Sequence, residues 1–118
     1  MFKLQAEMSW LWPVTVTVPN DGAVVKQGFR AKFRLAPDDL RHEIGLSRTD
    51  AEMQDRTAAL MRAALVEIYD VVDEREAPLA LTDALREAML ANPLILRGLT
   101  QAYAEALSGQ PAAADAKN

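Results

Sequence analysis

The chain has 118 residues, half of them hydrophobic and a quarter charged, the balance of an ordinary globular protein with a single modest core. It has no cysteine, which excludes disulfides and thiolate-held metals and fits a reducing cytoplasm. The longest uncharged run, Met8 to Asn20, contains Pro13 and alternates polar residues, so it is no membrane span, and MFKLQAEMSWLW lacks the pattern of a signal peptide.

The net charge of −4 is unevenly spread: residues 1–35 carry Lys3, Lys26, Arg30, Lys32 and Arg34 against Glu7 and Asp21, while the rest holds 8 basic and 15 acidic residues. A molecule with two electrical ends suits head-to-tail contact with copies of itself, or a partner of mixed charge.

In chain order, residues 2–7 are a candidate strand. Trp10 and Trp12 share a face with Val14, Val16 and Val18, while Thr15 and Thr17 take the other face. This period of two with β-branched residues predicts a strand, and it makes the core the default place of both tryptophans, with interface anchors as the alternative. Pro19-Asn20-Asp21-Gly22 predicts a reversal with a loop longer than two residues. Beyond it, Val25, Gln27, Phe29, Ala31, Phe33 and Leu35 alternate with Lys26, Gly28, Arg30, Lys32 and Arg34. A hairpin of these two strands is apolar on one side, which helices or a further strand must cover.

Pro37-Asp38-Asp39-Leu40 opens a short helix that ends near Gly45. Thr49-Asp50-Ala51-Glu52 reads as a capping box, and Met53, Leu60, Met61, Ala64, Leu65, Ile68, Tyr69 and Val72 then recur at three- and four-residue steps. That spacing predicts one amphipathic helix of about six turns. DEREAPLAL interrupts it, and Thr82-Asp83 starts a helix to about Ala91. Asn92-Pro93 caps the last helix, whose inner side holds Ile95, Leu99, Ala102, Tyr103 and Ala106 and which stops at Gly109. Strands first and helices after make an α+β order, a hairpin with a candidate third strand against about four helices. Residues 1–109 are expected to form a single domain, with 110–118 a disordered tail.

Signs of catalysis are few. His42 is the single histidine, and among polar neighbours it reads as a surface residue more readily than as a base or ligand. Asp70, Asp73, Glu74 and Glu76 offer oxygens to a hard cation, but without calcium-loop spacing a solvated charged turn is the simpler reading. The five glycines are scattered and form no phosphate-binding loop. Lys26, Arg30, Lys32 and Arg34 make a basic stripe on one strand face, as a nucleic-acid binder requires. The pI near 4.9 argues against that, since nucleic-acid-binding domains usually exceed about 9. Phe29 and Phe33 also face away from the stripe and cannot stack on the same strand of bases. No enzyme, cofactor, metal or nucleic-acid function is expected.

The pattern as a whole resembles the tail assembly chaperones of long-tailed bacteriophages and prophages. PVTVTVPNDG and QGFRAKFRL carry the resemblance first. ALVEIYDVVDEREAPL, with Ile68-Tyr69 where relatives often have a tryptophan, comes next, followed by the helix NPLILRGLTQAYAEALSG and the terminal Lys117-Asn118. The resemblance implies a non-enzymatic factor of the host cytoplasm, absent from the finished virion. Such factors bind the tape-measure protein and keep it soluble until the tail tube forms. The two-ended charge would let copies stack head to tail into homo-oligomers, as rings or spirals, and many genes of the family also yield a frameshifted longer form, which would meet the tail-tube protein. A minor tail or head-tail connector protein, retained in the virion, is the alternative. In an oligomer of this kind, Lys26, Arg30, Lys32 and Arg34 of one copy would face Asp70, Asp73, Glu74 and Glu76 of the next. Met53, Met61 and Met89 are candidates for a forgiving apolar surface, although Met61 reads more readily as a core filler.

Overall fold

The computed structural model describes residues 1–4 and 6–109. The alternating segments form β1 (Ser9–Asn20) and β2 (Ala23–Arg34), paired antiparallel from Ser9↔Arg34 to Asn20↔Ala23. Asp21 and Gly22 both adopt positive φ, 49° and 83°, which makes a two-residue type I′ turn whose twist matches the strands. The reversal is therefore tighter than the irregular loop expected, because Pro19 and Asn20 belong to the ladder. A two-residue turn closes on a hydrogen-bonded pair, and such pairs alternate along the ribbon. Pro13 and Pro19 consequently fall at non-hydrogen-bonded positions, where a missing N–H costs no ladder bond.

The expected six-turn helix is two elements. The helix that begins at Asp50 stops at Ala64, and Leu65–Tyr69 form β3, antiparallel to β2 at its outer edge in the order β1-β2-β3. In Leu65-Val66-Glu67-Ile68-Tyr69 the buried Leu65 and Ile68 satisfy helical spacing, but these β-rich residues gain a ladder with β2 that a longer helix forgoes. A bulge between Lys32 and Phe33 absorbs the mismatch and turns both apolar side chains inward. The third strand thus comes from mid-chain; residues 2–4 and 6–7 lie in no strand.

The preceding helix, α1 (Asp38–Gly45), begins behind Pro37. Helix α2 (Asp50–Ala64) is capped by Thr49, whose hydroxyl accepts from Glu52 N, while the Glu52 carboxylate reaches back to Arg48 N at 2.8 Å. Thr82 caps α3 (Asp83–Ala91) and Asn92 caps α4 (Pro93–Ser108), which ends at Gly109 in the left-handed conformation. The predicted tail at 110–118 lies outside the described residues.

Helices cover the apolar face of the sheet. Val14, Phe33, Met61 and Leu99 are the largest fully buried side chains, and Met89 is also buried, so only Met53 of the three candidate methionines is exposed. Trp10 and Trp12 are half-buried at the core's margin, with neither indole N–H meeting an acceptor among the described residues. Trp10 stacks on Tyr103 at 6.0 Å, and the Tyr103 hydroxyl accepts from Ala36 N at 3.0 Å, fastening the exit of β2 to α4.

Alternation turns the Thr15 carbonyl outward from β1, and α4 lies against that edge. A Cβ at Gly98 would sit 2.6 Å from the Thr15 oxygen and 3.3 Å from Val16 Cγ2, so only glycine lets the helix approach this closely. Gly98→Ala should therefore lower stability by about 1–3 kcal/mol through overpacking, against the ~1 kcal/mol that alanine ordinarily gains within a helix. Urea unfolding of the two proteins checks the sign.

Candidate interaction surface

Period-two alternation puts Lys26, Arg30, Lys32 and Arg34 on the sheet face opposite the helices. The register sets Tyr69 beside Arg30 and Glu67 beside Lys32. Arg30 Nε donates to Asp70 Oδ2 at 2.7 Å, and its guanidinium lies 5.6 Å from the Tyr69 ring centre. The hydrogen bond to Asp70, and then its charge, raise the Arg30 pKa further above its ordinary value. Arg34 donates to the Ala63 carbonyl at 2.6 Å and reaches Glu7 at 3.4 Å. Lys26 and Lys32 form no ion pair among the described residues.

The acids divide likewise. Asp70, at φ 66°, turns the chain out of β3 and pairs with Arg30 of the same molecule. Asp73 organises a turn, its Oδ1 accepting from Arg75 N at 2.8 Å and Ala77 N at 3.0 Å. Glu74 and Glu76 are exposed and meet no cation among the described residues. Of the eight residues singled out from the sequence, the structure therefore joins Arg30 to Asp70 within one chain. Lys26, Lys32, Glu74 and Glu76 remain on the surface.

Glu67 is a residue that the sequence reading passed over, although it stands alone as an acid within the apolar run LVEIY. Its Oε1 accepts from Leu81 N at 2.9 Å and from Ile68 N at 3.0 Å. It bridges β3 to the returning segment, which pairs again through Leu79 N to the Val71 carbonyl and at Val72↔Pro78. Arg62 binds Glu87 through two 2.8 Å hydrogen bonds and ties α2 to α3.

Because the chain leaves the sheet at Asp70, an apolar groove opens where β3 would otherwise continue beside β2. It has a volume of about 440 Å³, with Val18 and Phe29 of the hairpin, Val72 of the loop, and Met89 and Ile95 of α3 and α4 among its walls. A shallower cleft of about 500 Å³ runs between α2 and α4, with Met53, Pro93, Leu96 and Ala104 in its lining. His42 is exposed, and no carboxylate or histidine cluster that would hold a metal ion forms among the described residues. Phe33 is buried and Phe29 half-buried, both away from the basic stripe. No helix among the described residues is long and apolar enough to cross a membrane.

No protein-family model, curated protein or solved structure matches the chain.

The Leu81 and Ile68 N–H groups hold the Glu67 carboxyl below its ordinary value of 4.5. A depressed carboxylate contributes stability that is complete above the unfolded value and vanishes as pH falls through the folded one. Glu67→Gln should therefore cost most at neutral pH, and the gap from the parent should close in acid. Urea unfolding at both pH values measures the gap; a difference independent of pH would show that the charge on Glu67 contributes nothing.

Proposed function

We propose that the protein is a non-enzymatic tail assembly chaperone of a long-tailed phage or prophage. In this reading it coats the tape-measure protein in the host cytoplasm and leaves before the virion is complete. The observation that carries the reading joins sequence to geometry. Three of the stretches behind the resemblance are the hairpin, the VVDE-containing loop and the NP-initiated helix, while the fourth, Lys117-Asn118, lies outside the described residues. These three are distant in the chain, yet they meet as the walls of one apolar groove. Convergence of this kind is what a surface for association requires.

A coat needs one surface to join its copies and another to hold the cargo. The groove fits the first role. The cleft between α2 and α4 fits the second, because Met53 is 48 % exposed there and a flexible thioether adapts to many apolar partners. An amphipathic tape-measure helix would lay its apolar stripe along this cleft. The charged sheet face orients copies while contributing little affinity, since exposed ion pairs are worth about 0–1 kcal/mol. A frameshifted longer form would link the coat to tail-tube subunits.

Co-expression with the tape-measure protein encoded nearby tests the proposal. The tape measure should become soluble and co-purify with many copies of this chain. Met53→Asp should leave the chaperone folded and reduce recovery of soluble tape measure several-fold. If the tape measure remains insoluble beside abundant soluble partner, the chaperone role is wrong.

A further inference from the structure

The two edges of the sheet are treated differently. On β1 the outward backbone groups are blunted by Pro13 and Pro19 and approached by α4 at Gly98. On β2 the same alternation turns the N–H and C=O groups of Val24, Lys26 and Gly28 outward, and β3 pairs only with Arg30 to Phe33. Residues 23–28 are exposed. This open edge forms one wall of the apolar groove, through Gln27, Gly28 and Phe29. Main-chain donors and acceptors beside a trough for alternate side chains are what an added strand needs.

We propose that the β2 edge from Val24 to Gly28 accepts a strand from a second copy of this chain, the segment around Phe2 and Leu4. These side chains are 74 % and 86 % exposed and alternate with Lys3 in strand fashion. Their backbone cannot reach the Val24–Gly28 edge of their own molecule. Met8 is fixed beside Leu35 by the bond from Leu35 N to the Met8 carbonyl, and Gly28 lies about 23 Å further along β2 at ~3.3 Å per residue. Leu4 extends at most about 14 Å from Met8 and Phe2 about 22 Å, so a strand on this edge comes from another molecule. Charge agrees with this. Glu7, which reaches Arg34 at only 3.4 Å in its own chain, falls on the same face of the added strand as Lys3 and supplies a carboxylate for Lys26, which meets none among the described residues. Donor and acceptor are different patches, so the contact is heterologous and propagates into an open chain of copies. The proposal concerns self-association alone and stands whatever the assembly carries.

Two variants separate donor from acceptor. Phe2→Ser with Leu4→Ser removes the donor's apolar side chains from a segment outside the core. Lys26→Pro removes an outward N–H at a position that, like Pro13 and Pro19, gives no bond to the hairpin partner. Sedimentation equilibrium should find concentration-dependent oligomers of the parent and at least about tenfold weaker association for each variant. An equimolar mixture of the two should stop at 1:1 dimers, because it contains one intact donor and one intact acceptor per pair. A monomeric parent, or a serine variant that assembles as the parent does, overturns the proposal. If Lys26→Pro unfolds, the serine variant alone decides.

Discussion

A ribbon of two strands is not stable in water by itself, and the rest of this molecule is arranged around supplying what the ribbon lacks. Its apolar face, from Val14 and Val16 across to Ala31 and Phe33, is buried under α2, α3 and α4. Each large aliphatic or aromatic side chain so covered contributes roughly 1.5–3 kcal/mol. One edge is closed by bringing a helix against it, which obliges Gly98 to be glycine. The other is closed for only part of its length by β3. The position of β3 then decides where the chain turns away at Asp70, and so where the groove lies.

Electrostatics acts on top of this frame. The basic strand and the acidic second half look like complementary poles in the sequence, and folding brings some of them together within one chain, as Arg30 does with Asp70. Those pairs are about half exposed and hold orientation more than stability. The carboxylates that organise backbone act differently. Asp73 and Glu67 accept from main-chain N–H groups and so shape the loop that rims the groove.

Much of this was legible from residue types alone, wherever the cause was local. The valine-threonine alternation, the caps at Thr49, Thr82 and Asn92, and the stop at Gly109 act within a few residues of themselves, and the structure has each in place. The strand at Leu65–Tyr69 was not legible. Five residues are too few to separate a period of two from one of 3.6, and the deciding partner, β2, lies far away in sequence. The turn was misjudged because Pro19 reads as a breaker until the register shows its nitrogen pointing away from the ladder. The same distance hid the surface. Eight charged residues could be named, but which of them pair depends on β3, and Glu67 was masked by its apolar neighbours. The groove has no local signature, since its walls come from three separated stretches.

The placement of β3 also sets the order in which this protein acquires its structure. The hairpin needs only its own turn and can form within about 1–10 µs. Docking β3 brings together residues such as Arg30 and Asp70, 40 positions apart, at a loop-closure cost of roughly 3 kcal/mol beyond a constant. On a ribosome adding about 5–20 residues per second, some 2–7 s separate completion of β2 from completion of β3. For that interval the hairpin forms only transiently, with its outer strand bare and without α3 and α4 to cover its valines and phenylalanines. The most dangerous moment in this protein's life is therefore its synthesis, and crowding of neighbouring nascent chains is the condition under which it would misassemble.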